Sequence, residues 1–238
     1  MQGIGQTLSL EQELACALRV LAAAGWEENL AGHITVALDD GSLLVNPWGI
    51  WWHEVRASDI VRIGADGSIA EGRWDVTPAV FLHTELHRAR PDARVVVHNH
   101  PYNATLLACL GVTPTISHQN SALFADEFVF VDEYDGTVES EAAGQWLADR
   151  IGAATTALLA NHGAIVTGAD LGSACYRAVT FERACRFAVD ALRVGSALRP
   201  LPPDNIAALQ RELVRNTRDA YWHGAVRTII RSDPEVLS

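Results

Sequence analysis

Apolar residues recur along this chain in two rhythms, and the changes between them lay out its elements. Between Ser9 and Gly25, Leu14, Leu18 and Leu21 fall at three- and four-residue spacing among alanines. A helix is expected there, with Ser9 as N-cap and Gly25 just past its end. From His33 onward the rhythm shortens to two. Ile34, Val36 and Leu38 alternate with other positions, Asp39-Asp40-Gly41 breaks the run, and Ser42-Leu43-Leu44-Val45 follows. That is the pattern of a β-hairpin. Ile60-Val61-Arg62-Ile63 and the turn Gly64-Ala65-Asp66-Gly67 add a further strand signal, so an antiparallel sheet builds up.

Pro78 then opens a helix of roughly a dozen residues that stops before Arg90-Pro91-Asp92, because proline disfavours helix in the residue before it. Val95-Val96-Val97 and Ala157-Leu158-Leu159-Ala160 read as buried strands, and Phe128-Val129-Phe130-Val131 as a short strand bounded by acids. Further helices are expected over residues 102–110, 138–151 and 170–192, and over 206–230 after the proline-rich connector that ends at Pro203. Strands and helices mix without a repeating strand–helix unit. The pattern gives either α+β or a three-layer α/β/α sheet of antiparallel character. One domain over residues 1–238 is expected, with 196–238 as a C-terminal helical extension.

Composition narrows the class. A chain of 238 residues, 49% hydrophobic and 20% charged, can bury a sizeable core. Its net charge of −11 and pI of about 5.2 leave no clustered basic face for nucleic acid. No run of about eighteen apolar residues could span a membrane, and Met1 to Gln6 lack the basic start of a signal peptide. A cytoplasmic protein without membrane or nucleic-acid partners is therefore expected. Cys16, Cys109, Cys175 and Cys185 have no metal-ligand spacing and read as buried free thiols.

The chemistry concentrates where the valine strand ends. It runs into His98-Asn99-His100, and on an extended backbone residues two apart share a face, so both imidazoles can meet one metal ion. The second apolar strand delivers His162, followed by Gly163. Three imidazoles with a coordination position left open form a ligand set for catalytic Zn2+, with Mn2+, Fe2+ or Co2+ as alternatives. A small-molecule substrate that chelates through two oxygens would fit the open position.

Several segments share an order and spacing beyond these three residues. They are Ala31-Gly32-His33-Ile34-Thr35-Val36, Asn46-Pro47-Trp48-Gly49-Ile50, His83 with Arg90-Pro91-Asp92, Val97-His98-Asn99-His100, Asn161-His162-Gly163, and Glu182. Together they resemble the class II aldolase/adducin superfamily over about residues 10–195. The resemblance implies a fuculose-phosphate aldolase-like fold, a three-layer α/β/α arrangement with a central, largely antiparallel sheet. It also implies a homotetramer with sites at subunit boundaries, and a divalent metal, commonly zinc, held by His98, His100 and His162. In the family's aldolases that metal serves as a Lewis acid while a carbon–carbon bond breaks.

Departures from the family pattern redirect the functional expectation. The sugar-phosphate aldolases carry an acid/base glutamate four residues before the position of His83, where this chain has Ala79, and an alanine cannot move a proton. Glu85 lies about 1.7 turns along the helix from that position and reads as surface charge. Leu30, His33, Thr77 and Pro78 stand where those aldolases use small donors for phosphate. His33 resembles the decarboxylase-like and adducin-like branches, and three roles stay open for it: binding a substrate carboxylate, passing a proton, or packing. His118, near the position of a tyrosine proton donor, is the candidate acid. Trp48, Asn29 and Thr77 are candidate substrate contacts, with Trp48, Trp51 and Trp52 forming an aromatic loop. Tyr134 and His223 are weaker candidates. The expectation is a metal-dependent lyase of a small unphosphorylated hydroxy-carboxylate, most naturally a decarboxylase of a hydroxylated acid, aromatic acids included. A retro-aldolase and a non-catalytic adducin-like assembly protein are the alternatives.

Overall fold

The chain's architecture comes from a computed structural model that describes residues 7–133, 136 and 138–238, except for the side chains at 215 and 216; Tyr134 lies outside the described residues. The first helix, α1, covers Leu10–Ala23. Ser9 caps it as expected, with Gln12 as reciprocal partner: the Ser9 Oγ accepts from the Gln12 N–H, and the Gln12 side chain accepts from the Ser9 N–H. The hairpin becomes β1 (His33–Ala37) and β2 (Leu43–Val45), and β3 (Val61–Ile63) turns into β4 (Ile69–Glu71).

A short turn of 3-10 helix over Pro78–Val80 leads into α2 (Phe81–Ala89), which ends ahead of Pro91. Then come β5 (Val95–Asn99), α3 (Tyr102–Leu110), β6 (Phe128–Val131), α4 (Glu141–Ile151), β7 (Thr156–Leu159), β8 (Gly163–Gly168) and α5 (Leu171–Arg193). Two further helices, α6 (Pro203–Glu212) and α7 (Arg218–Ser232), are joined by a π-helical segment over Leu213–Thr217, where the sequence pattern suggested one unbroken helix.

The eight strands form one sheet in the order β4-β3-β2-β1-β5-β8-β7-β6. Every pairing is antiparallel except β6 with β7, which are parallel. The exception has a simple cause, since α4 lies between those two strands and parallel neighbours need a crossover connection. The three valines of β5 are fully buried and alternate between the faces. Val95 and Val97 belong to the core under α1, α3, α5 and α7, whereas Val96 packs with Leu82 and Leu86 of α2 and Leu147 and Ile151 of α4. Helices therefore cover both faces, giving the three-layer arrangement. β5 sits at the middle of the sheet, so its C-terminal end is held by neighbours on both sides.

Candidate metal centre

Three imidazoles converge where β5 ends. His98 is the fourth residue of β5 and His100 follows it, while the turn from β7 to β8 brings in His162. Asn161 makes that turn by adopting a left-handed backbone, φ 55°. Nε2 of His162 lies 3.0 Å from Nε2 of His100 and 3.2 Å from Nε2 of His98. This is the metal-type cluster found among the described residues.

Hydrogen bonds on the far side of two rings decide what the near side offers. Nδ1 of His98 donates to the Ala164 carbonyl at 3.1 Å, and Nδ1 of His100 donates to the Glu28 carboxylate at 2.5 Å. Each ring therefore keeps its proton away from the cluster and turns an Nε2 lone pair inward. Burial holds His98 well below the ordinary imidazole range, reinforced by the neighbouring histidines, and pushes His162 down to about 4. Imidazole nitrogens at this spacing, with the outward protons of His98 and His100 tied down, are the donor set a divalent cation requires. The residues fit the ion that the fold family implies.

Two glycines let the strands come close enough. Gly32 has φ +88°, and a Cβ there would stand 2.3 Å from Cγ of Asn99, whose Oδ1 accepts from the His100 N–H at 2.8 Å. At Gly163 a Cβ would sit 2.6 Å from both the Asn99 carbonyl oxygen and Cδ2 of His100. The Gly-His and His-Gly pairs of the sequence thus reflect one close approach around Asn99. Glu182 of α5 secures the other side, its carboxylate accepting from the N–H groups of Asn103 and Ala104 at the start of α3 at 2.9 and 3.0 Å.

His33 stands beside this cluster. It pairs with His98 across β1 and β5, and the two rings are 5.3 Å apart. Its Nδ1 lies 3.1 Å from Nε2 of His83 on α2. Thr77 is buried and its Oγ1 accepts from the Ala79 N–H. Asn29 is exposed and bonds its own neighbour's N–H, while Trp48 is 44% exposed. Trp51 is also exposed, but Trp52 is buried and donates to the Gly32 carbonyl. His118 packs edge-on against Phe187 of α5, with both ring nitrogens buried and without a hydrogen-bond partner among the described residues.

Two sequence readings need correction. Glu85 is 2% exposed, not surface charge: it lies against Gly144 of α4 and pairs with Arg88 at 2.7 Å. Cys109 is exposed, while Cys16, Cys175 and Cys185 are buried as expected. Sequence reasoning also missed Glu28, Thr35 and His87. Glu28 gave no local signal. Thr35 stands two residues from His33 on one strand, and His83 and His87 are four apart on one helix, so a shared face was legible for both pairs.

Residues 12–189 match the family described as Class II Aldolase and Adducin N-terminal domain. The chain belongs to that family. Two relatives show the range of class II aldolase family members. A 3,4-dihydroxyphthalate decarboxylase of Arthrobacter keyseri is 30% identical over 224 residues, which is 87% of this chain and 90% of that protein. A 5-methylthioribulose-1-phosphate/5-deoxyribulose-1-phosphate aldolase of Rhodospirillum rubrum is 32% identical over 178 residues, 75% of this chain and 79% of that one. Among solved structures, an L-fuculose 1-phosphate aldolase from Glaciozyma antarctica superposes with a TM-score of 0.84 at 22% identity, covering 96% of this chain and 92% of that chain. That last likeness is one of fold. No helix among the described residues is long and apolar enough to cross a membrane.

Proposed function

We propose that this family member is a divalent-metal lyase that decarboxylates a small, unphosphorylated hydroxy-carboxylate, with a hydroxylated aromatic acid as the preferred class. The observation that carries this reading is the make-up of the site: three imidazoles converge on the metal position, and the position that the family resemblance gives to the aldolases' glutamate is Ala79. Glu85 does not replace that glutamate, because it is buried against α4 at Gly144, with one carboxylate oxygen held by Arg88. Glu28 reaches the cluster but is committed to His100. The named activity of the Arthrobacter relative supports the same class.

His98, His100 and His162 would hold the ion, with Ala164 and Glu28 keeping two of the rings turned toward it. A bound divalent ion supplies Lewis-acid polarisation, drawing off the charge left when carbon dioxide departs. The rest falls to the chain. An acid with adjacent hydroxyl and carboxylate groups presents two oxygens to the open position. Loss of carbon dioxide breaks one carbon–carbon bond and needs one proton at the carbon left behind. In this reading His33, beside the cluster, accepts a hydrogen bond from the substrate hydroxyl, and His118 gives the one proton that the carbon takes up, as an acid delivered across a subunit boundary. Zinc as the ion, a homotetramer and a cytoplasmic location complete the proposal.

The test is a panel assay on metal-loaded protein purified without a histidine tag. Hydroxybenzoates, hydroxyphthalates and short 2-keto-4-hydroxy acids are each incubated with it. Release of carbon dioxide supports decarboxylation, whereas pyruvate or an aldehyde assigns the site to retro-aldol cleavage instead. Less than about half an equivalent of metal after reconstitution, with no turnover, removes the enzyme reading in favour of an assembly role.

A further inference from the structure

A hydrogen-bond chain leaves the metal centre through β1 and α2 and ends on a main-chain carbonyl. Its direction follows from that anchored end. Nδ1 of His87 lies 2.8 Å from the Ala93 carbonyl oxygen, which only accepts, so Nδ1 carries the His87 proton and Nε2 the lone pair. The Thr35 hydroxyl, 2.8 Å from that Nε2, must donate to it. With its hydrogen committed, Thr35 accepts from Nδ1 of His83 at 2.7 Å, which leaves the His83 lone pair on Nε2. That lone pair in turn accepts from Nδ1 of His33. Every ring uses one proton, the number a neutral imidazole has. Burial keeps the rings neutral, holding His83 well below its ordinary range and His87 down to about 4.

We propose that this chain fixes His33 as a hydrogen-bond acceptor at one nitrogen: its Nδ1 proton is committed to His83, and its Nε2 lone pair is offered to the hydroxyl of a substrate whose carboxylate lies next to that hydroxyl. Thr35, His83 and His87 are positioning residues that act through His33. A carboxylate oxygen has no proton to give to such an acceptor. Of the roles the sequence left open for His33, the geometry points to engaging a substrate proton and away from carboxylate binding. The site accordingly selects an ortho-hydroxy acid over the same acid without the hydroxyl. The substrate half of this inference rests on the lyase reading; the tautomer half does not.

Long-range proton–nitrogen correlation spectra of zinc-loaded protein, labelled with nitrogen-15 in its histidines, report each ring's tautomer directly, with single His-to-Asn variants for assignment. His33, His83 and His87 are expected to carry their protons on Nδ1. Thr35→Val should abolish the single tautomer at His33 and His83, and Thr35→Ser should restore it. A wild-type His33 protonated on Nε2, or a His33 signal unmoved by Thr35→Val, overturns the proposal; if the valine variant does not fold, the wild-type spectrum decides. Binding of 2-hydroxybenzoate and benzoate to the same proteins reads the second half. A preference of about tenfold for the hydroxylated acid should shrink in Thr35→Val and return in Thr35→Ser. Equal binding by the wild type overturns the substrate assignment. None of these measurements needs turnover, so a failure to release carbon dioxide counts against the lyase reading alone.

Discussion

Nδ1 of His100 donates to the carboxylate of Glu28 across 2.5 Å, joining the end of the central strand to the loop that precedes β1. A carboxylate behind an imidazole fixes its tautomer and raises the basicity of its inward nitrogen. Glu28→Gln keeps a hydrogen-bond acceptor but loses the charge. Metal affinity should fall by about ten- to a hundredfold, read by competition with a chromophoric chelator. An unchanged affinity would detach Glu28 from the centre.

His162→Ala removes one of the three converging nitrogens from a turn that carries no large buried side chain. The variant should lose both bound metal and turnover while keeping its far-ultraviolet dichroism and oligomeric state. Metal content by mass spectrometry and size-exclusion chromatography check the two halves. Full metal binding in this variant would remove the site assignment.

Much of this centre was legible in the sequence because period-two alternation is a strong constraint. His98 and His100 had to share a face, and the apolar run ahead of His162 had to be a strand, so the three converging histidines followed from local pattern and family resemblance. The relation of β6 to β7 was not legible, since strand order depends on where α4 crosses, and local pattern says nothing of that. Glu85 misled for a similar reason. A charged residue on an amphipathic helix reads as solvent-facing until a second helix, here α4 with Gly144 at the contact, covers it. Glu28 was invisible because a lone acid in a loop carries no periodic signal.

Gly32→Ala tests the close approach around Asn99. The new Cβ would meet the Asn99 amide at 2.3 Å on a backbone with φ +88°, and that amide cannot move without releasing the His100 N–H. Overpacking and left-handed strain each cost about 1–3 kcal/mol. A loss of at least about 2 kcal/mol in urea unfolding is expected, together with weakened metal binding. Gly25→Ala is the control: it shares the positive φ, but nothing lies within 4 Å of its Cβ, so its cost should be the smaller of the two.

The buried imidazoles also set how stability depends on pH. His33 is pushed down to about 3 by burial and by His100 and His162, His87 down to about 4 by burial, and His83 well below the ordinary 6.5 by burial and by His33 and His87. Below pH 6.5 the unfolded chain therefore binds protons that the folded chain refuses. The stability these rings contribute is complete above about pH 6.5 and is lost as pH falls through that value toward the folded ones. Each histidine adds a slope of up to about 1.4 kcal/mol per pH unit in that window. Urea unfolding in the presence of a chelator, which keeps metal loss out of the measurement, should show the midpoint dropping steadily from about pH 7 to about pH 5. A midpoint constant across that range would mean that the rings are not held neutral, and the directional hydrogen bonding from Ala93 to His33 would lose its basis.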